Sequence, residues 1–148
     1  MWSTEYSTET DLTAPAIWAA LSDLHHGVTL DGNRDRFELH GPFAVGTQLT
    51  VTPQSQGSFL STITELTENQ VYADRTEFGG LILTFRHALA PLAGGGTRVT
   101  HQLVIDGGDA DTMGPELGPQ ISADFPEAME ALLAAARHKA GADPVARP

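Results

Sequence analysis

Short runs in which hydrophobic and polar residues alternate fill the first two-thirds of the chain, and many of them end at glycines or other turn residues. Alternation with a period of two is typical of a strand that buries one face. The runs predict seven strands, at residues 2–12, 36–40, 48–52, 58–67, 70–78, 81–92 and 97–106. Because the last six follow one another across short turns, we expect them to pair antiparallel.

Two segments have a helical period instead. After Pro15, which suits a first helical turn, apolar residues recur at helical spacing, at Ile17, Trp18, Leu21 and Leu24. From Met113 onward a second stripe predicts the longest helix, with Ile121, Phe125, Met129, Leu132, Leu133 and Ala136 on one face. Pro126 is expected to kink this helix or to divide it in two. Residues 25–33 are expected to form a loop or a short helical turn.

This order of elements predicts an α+β fold in which a curved seven-stranded antiparallel sheet wraps around a long C-terminal helix. A length of 148 residues suits one domain, which we place at residues 1–140, followed by a flexible tail at 141–148. A curved sheet covered by one amphipathic helix leaves a wedge-shaped space, and its side chains decide whether that space is solid core or a pocket.

Composition narrows the function classes. The chain has no cysteine, which excludes disulfides, thiolate nucleophiles and cysteine-ligated metals. Eight Lys+Arg against 19 Asp+Glu give a net charge of −11, so we expect no nucleic-acid partner, and the simplest role of the charge is solubility. No apolar run approaches the roughly 20 residues of a membrane span, and the N-terminal residues do not resemble a secretory signal. A cytoplasmic location is therefore expected.

Turn lengths set the predicted register of the central strands. A turn at residues 93–95 aligns three pairs, Leu89 with Val99, His87 with His101, and Phe85 with Leu103. A two-residue turn at Gly79 and Gly80 aligns two further pairs, Asp74 with Phe85 and Tyr72 with His87. Both histidines then lie on the concave, apolar face. If the two glycines form a bulge instead, Tyr72 and Asp74 leave that face. The facing of residues 59–66 is left open, since one extra residue in the next turn reverses it.

The row of Tyr72, His87 and His101, with Asp74 one step away, supports two interpretations. In the first, these candidates form a hydrogen-bonded patch that orients a ligand without reacting. In the second, they supply general acid and base near neutral pH. Two histidines and Asp74 also make a three-ligand set, but no short His-x-x-x-His spacing accompanies it, so no metal is predicted. The predicted ligand-binding residues are Tyr72, Leu83, Phe85, His87, Val99, His101, Leu103, Phe125 and Met129.

The remaining candidates are expected to have structural or surface roles. His25, His26 and His40 are expected at the surface near the mouth of the pocket. Ser58 and Ser61 have no nucleophile-elbow context, and the glycines at 94–96 lie in a hairpin turn, where they bind no phosphate, so no cofactor is expected. Arg75 and Glu77 are expected to form a solvated pair on the convex face.

Three strings resemble a known superfamily: TAPAIWAALSD at residues 13–23, GPFAVGT at 41–47 and GGTRVTH at 95–101. In this order they resemble the START-like helix-grip (SRPBCC) superfamily, of the polyketide cyclase/dehydrase type, over residues 5–139. The resemblance implies a helix-grip fold whose cavity binds lipids, polyketides, sterols or hormones, and in a minority of members catalyses cyclisation or dehydration. Many relatives have a tryptophan soon after the first helix, where this chain has LHHGV at residues 24–28.

Three functions remain open at this point. The first is binding of a small hydrophobic molecule, such as a polyketide, a lipid or an aromatic metabolite, by a monomer or homodimer. The second is a cofactor-independent cyclase or dehydratase that uses His87 or His101 as acid-base residue and Tyr72 as proton donor or orienter. The third is a protein-interaction or stress-regulatory module, which a tightly filled core without a cavity would favour.

Overall fold

The computed structural model describes residues 1–28, 30, 35–53 and 57–141. Seven strands and three helices occur in these ranges. The strands are β1 (Trp2–Thr10), β2 (Arg36–Leu39), β3 (Gln48–Thr52), β4 (Phe59–Thr67), β5 (Val71–Phe78), β6 (Leu81–Pro91) and β7 (Thr97–Asp106). The helices are α1 (Ala14–His25), α2 (Ala110–Ser122) and α3 (Phe125–Gly141). The predicted seven-stranded α+β architecture is confirmed. Gly141, the first residue of the predicted tail at 141–148, is the last residue of α3, and residues 142–148 lie outside the described residues.

The strands form one antiparallel sheet in the order β1-β7-β6-β5-β4-β3-β2. Both predicted hairpin registers are confirmed: Phe78 pairs with Leu81, which places Tyr72 opposite His87, and His87 lies opposite His101. The Leu92 amide donates to the Gly96 carbonyl across the second turn, at 3.1 Å. The predicted ion pair on the convex face is also confirmed. Arg75 and Glu77 are exposed, and Arg75 Nη2 lies 3.5 Å from Glu77 Oε1.

A bulge in β4 settles the facing of residues 59–66. The pairing with β5 shifts between Ile63 and Glu65, so one residue, Thr64, has no partner across the ladder. Ser61 and Ile63 point inward before the bulge and are fully buried, and Leu66 packs against the same core after it. Because of the bulge, Ser61, Ile63 and Leu66 lie on the same face of the sheet, although strict alternation would place Leu66 on the opposite face.

Helix α1 begins as the sequence predicts. The Thr13 side chain accepts a hydrogen bond from the Ala16 amide, and Pro15 occupies the first turn, where its missing donor costs nothing. The helix ends one residue later than the apolar stripe suggests, so that His25 belongs to it. This correction matters for the site.

The predicted long helix is two helices joined at residues 123–124, and Pro126 lies in the first turn of α3, which confirms it as a junction. Helix α2 begins at Ala110, earlier than expected, and it contains two prolines and two glycines, Gly114, Pro115, Gly118 and Pro119. The Trp2 side chain packs against both glycines: a Cβ added at Gly114 would lie 2.6 Å from Trp2 Cβ, and one added at Gly118 would overlap the indole ring. Tertiary packing, and not intrinsic helix propensity, therefore stabilises α2.

The buried side chains form two clusters on the concave side of the sheet. One lies under α1 and the C-terminal half of α3, around Leu21, Leu49 and Leu132. The other lies between β6, β7 and α2, around Leu83, Leu103 and Ile105. Within the described residues, no helix is long and apolar enough to span a membrane.

Candidate functional site

A cavity of about 360 Å³ lies where the two clusters meet. Its walls come from the inner face of the sheet, from α1, and from the α2–α3 junction. Apolar side chains dominate the wall, among them Leu24, Leu83, Phe85, Phe125 and Leu132. The polar side chains of the wall are His25, Asp74, Thr76, His87 and His101 on its inner side, Gln120 and Asp124 at the junction, and Asp35 just before β2. The volume falls in the lower part of the range for small-molecule sites.

The predicted ligand-binding residues divide into two groups. Leu83, Phe85, His87, His101 and Phe125 line the cavity, as does the catalytic candidate Asp74. The others are packed behind the wall, where each is at most 1% exposed, namely Tyr72, Val99, Leu103 and Met129. Tyr72, Val99 and Leu103 face the concave side, as the alternation predicts, and Met129 lies on α3, but neighbouring side chains cover all four.

Asp74 is the carboxylate of the cavity wall. Its Oδ2 accepts a hydrogen bond from the Tyr72 hydroxyl at 2.7 Å, and its Oδ1 accepts one from Ser61 Oγ at 3.0 Å. Burial raises its pKa to about 6, because the charged form loses its hydration, and the two hydrogen bonds oppose that rise. Asp74 therefore changes charge close to neutral pH. Burial, together with the nearby Asp74 charge, raises the pKa of the Tyr72 hydroxyl, which stays protonated.

Ser61 is a site residue that the sequence interpretation missed. The sequence indicated only that Ser61 has no nucleophile-elbow context. Because it did not determine which residues of β4 face the core, the position of Ser61 beside Asp74 could not be predicted. Its hydroxyl serves as a hydrogen-bond donor to the carboxylate, so its role is to position and stabilise Asp74.

His87 and His101 form a perpendicular pair with ring centroids 4.2 Å apart. His101 is 5% exposed, and His87 keeps part of its surface accessible in the cavity wall. Burial lowers the pKa of His101 to about 4 and that of His87 well below its ordinary value, and the repulsion between nearby imidazoles adds to both effects. Both rings are therefore neutral at pH 7.

His25 corrects a sequence prediction, because it is 1% exposed and not at the surface. Its Nδ1 donates to the Leu21 carbonyl at 2.8 Å, and its ring lies 4.0 Å from the Tyr72 ring, centroid to centroid. Burial lowers its pKa to about 4. A signal existed: His25 follows Leu21 by four residues and Ile17 by eight, so the helical stripe includes it if the helix extends one residue further.

The surface positions predicted for His26 and His40 are confirmed, but neither residue lines the cavity. His26 and His40 are exposed, and His40 Nε2 lies 2.7 Å from Thr50 Oγ1. His26 borders an open surface groove of about 550 Å³ along β2 and β3, and none of the buried imidazoles lines it. The buried cavity is consequently the better site for a ligand, since a groove this open encloses little of any molecule.

The cavity can orient a molecule and exchange a proton with it. The neutral imidazoles of His87 and His101 each carry one donor and one acceptor, and Asp74 switches between acid and base near neutral pH. Among the described residues, no group of three potential ligands is arranged to hold a metal ion.

No protein-family model matches the sequence, and no curated protein sequence matches it. Solved structures do match. A structural-genomics protein from Nitrosomonas europaea aligns with a TM-score of 0.68 at 11% identity, over 95% of this chain and 97% of that one. One from Mesorhizobium loti aligns with a TM-score of 0.66 at 14% identity, over 92% of this chain and 97% of that one.

An enzyme is also among the similar structures. Norcoclaurine synthase from Thalictrum flavum, in complex with dopamine and hydroxybenzaldehyde, aligns with a TM-score of 0.67 at 14% identity, over 95% of this chain and 87% of that one. At identities this low, the structural alignments establish the fold alone. The function has to be inferred from the residues of the site. The chain therefore has the START-like helix-grip fold that its sequence resembles.

Proposed function

We propose that this protein binds a small hydrophobic molecule in the cavity between the sheet and helices α1 and α3. The observation that carries the proposal is the cavity itself, whose wall is mainly apolar and whose polar groups lie together around Asp74, His87 and His101. An apolar wall favours binding by the hydrophobic effect, and a few grouped polar side chains fix orientation. The small aromatic molecules bound by norcoclaurine synthase, which shares the fold, support this use of the cavity by analogy.

The size of the cavity limits the affinity. Enclosing roughly 200 Å² of apolar ligand surface contributes about 5 kcal/mol at 25 cal/mol per Å², before the costs of association are subtracted. The rest has to come from the polar groups, so the orienting patch decides which molecule binds tightly.

Two matched variants of α3 test the proposal. Ala128 lies in the cavity wall, whereas Ala134 is exposed on the same helix. We expect Ala128→Trp to fill the cavity and to abolish binding of the neutral fluorescent probe N-phenyl-1-naphthylamine. Ala134→Trp makes the same chemical change on the outer face and is expected to bind as the wild type does. Equal binding by the two variants, or no binding by the wild type, contradicts the proposal.

A second candidate function is acid-base catalysis on a polyketide-like substrate, as a cyclase or dehydratase. The observation that favours it is the position of Asp74, a cavity-wall carboxyl with a pKa of about 6. Such a group can remove a proton from the carbon between two carbonyl groups. The lowered pKa values of His87 and His101 suit them as neutral hydrogen-bonding groups or bases, and Tyr72 acts through Asp74 as a positioning residue.

Proton exchange on a model diketone tests this second function. In D₂O, the wild type is expected to accelerate loss of the central C–H signal of 1-phenyl-1,3-butanedione in proton NMR. Asp74→Asn should remove most of that acceleration, and the exchange rate should fall below a pH of about 6, where Asp74 becomes protonated. An unchanged rate in Asp74→Asn excludes this residue as the base.

The interaction-module hypothesis has less support. A tightly filled core would favour it, whereas this core contains a cavity. A cytoplasmic location and a monomeric or homodimeric state stay predictions.

A further inference from the structure

Two buried nitrogen atoms in the cavity wall have no hydrogen-bond partner. They are Nδ1 of His87 and Nε2 of His101, both shielded from solvent. Among the described residues, no hydrogen bond reaches either ring, and the nearby Asp74 oxygens are already paired with Tyr72 and Ser61. Both rings line the cavity, but these two nitrogens have almost no accessible surface, so each ring has to turn slightly before a molecule in the cavity can pair with it.

Unpaired buried polar groups are costly. Each one costs about 1–3 kcal/mol, and in folded proteins such groups commonly mark a functional site. Two adjacent unpaired imidazoles on a cavity wall therefore indicate a polar group on the bound molecule. The neutral rings require a group that suits both a donor and an acceptor nitrogen.

The charge around the cavity decides which polar group fits. Within the described part of the chain, no Lys or Arg lines the wall, whereas Asp35, Asp74 and Asp124 do, and the net charge of the chain is −11. A carboxylate or phosphate on the ligand meets no countercharge there and is disfavoured. An uncharged hydroxyl carries one donor and two acceptor lone pairs, so it can pair with either nitrogen of a neutral imidazole.

Aromatic side chains flank the imidazole pair. The Phe125 ring lies 6.0 Å from that of His101, nearly perpendicular to it, and Phe85 lies two residues before His87 on the same face of β6. A flat ring on the ligand matches these surfaces by offset or edge-to-face contacts.

Building on the binding role proposed above, we infer that the cavity selects an uncharged hydroxyaromatic molecule, whose hydroxyl group pairs with His87 and His101 while its ring lies against Phe85 and Phe125. This class is narrower than hydrophobic molecules in general, and it excludes fatty-acid anions.

Three naphthalenes of nearly equal size test the inference at pH 7: 2-naphthol, 2-methoxynaphthalene and 2-naphthoate. The first has a neutral hydroxyl, the second lacks the donor, and the third is an anion. Affinities measured by calorimetry or fluorescence are expected to be about tenfold tighter for 2-naphthol than for the ether, and weakest for 2-naphthoate.

Variants connect that preference to the histidines. His87→Phe and His101→Phe keep an aromatic ring and remove the nitrogens, so each should bring the naphthol-to-ether ratio close to one. Continued binding of the ether shows that these variants retain the cavity. His138→Phe, at an exposed position of α3, is the control and should keep the wild-type ratio.

The alternative outcomes are distinct. Equal binding of naphthol and ether, or tightest binding of naphthoate, overturns the inference and leaves the proposed binding function intact. Binding of N-phenyl-1-naphthylamine without any of the three naphthalenes has the same meaning. Failure of all four compounds rejects the proposed function itself.

Discussion

The Tyr72 hydroxyl donates a 2.7 Å hydrogen bond to Asp74, a residue two positions further along the same strand. Side chains at this spacing share one face of a strand, so β5 alone brings the phenol and the carboxyl group together. Ser61 of β4 completes the arrangement from the neighbouring strand. Two donors that do not line the cavity thus oppose the effect of burial on the pKa of Asp74.

Removal of the phenol oxygen should raise the pKa of Asp74. In Tyr72→Phe the carboxylate loses the stronger of its two donors, so its charged form becomes less favourable and its pKa rises above about 6. We also expect a loss of about 1–3 kcal/mol in the free energy of unfolding at pH 7. Carbon-13 NMR of the carboxyl groups measures the first effect and urea unfolding the second.

The chain contains its own control for that experiment. Tyr6 is the only other tyrosine, and within the described residues no hydrogen bond involves its hydroxyl. Tyr6→Phe should leave the Asp74 titration unchanged. An equal shift in both variants means that the hydrogen bond does not control the pKa.

Acidification should destabilise the protein through its buried histidines. The pKa values of His25 and His101 are about 4 in the folded protein, against about 6.5 in the unfolded chain. Between those values the unfolded state binds more protons, so stability falls as the pH falls, by about 3 kcal/mol for each ring over the whole interval. Urea unfolding between pH 7 and 4 measures the slope, and His101→Phe should reduce it whereas His138→Phe should not.

Asp74 should act with the opposite sign. Its pKa is raised in the folded protein, so its contribution to stability is complete below a pH of about 4 and is lost as the pH rises through about 6. Asp74→Asn removes this loss. The free energy of unfolding of the variant, relative to wild type, should increase between pH 4 and 8 by up to about 3 kcal/mol. A difference that stays constant with pH would show that Asp74 does not titrate in this range.

The contact between Trp2 and α2 should reverse the usual effect of replacing glycine in a helix. A Cβ at Gly118 would overlap the Trp2 indole, so Gly118→Ala should cost about 1–3 kcal/mol of stability. In a Trp2→Ala background that cost should be much smaller, because the overlapping indole is absent; no gain is expected, since Pro119 disfavours the helical conformation of a preceding residue that has a Cβ. The double-mutant cycle, measured by urea unfolding, isolates the contact. Additive effects would contradict it.

The sequence predicted the site where the chain itself fixes the geometry. The glycine turns determine the lengths of two hairpins, and from these the alignment of Tyr72, His87 and His101 follows directly. The position of Ser61 could not be predicted in this way. A bulge at Thr64 reverses which residues of β4 face the core, and no clear sequence pattern indicates the bulge. Alternation also gives the face of a residue without saying what covers it, which is why Val99 lies in the core while Leu83 lines the cavity.

Helix α2 has a consequence for the rate at which a bound molecule exchanges with solvent. Pro115 and Pro119 remove two backbone donors from its interior, and its glycines lower its propensity further, so little free energy is needed to open it locally. The same helix supplies Gln120 and Ile121 to the cavity wall. We therefore expect local opening of α2, against its packing on Trp2, to limit how fast a bound molecule leaves the cavity.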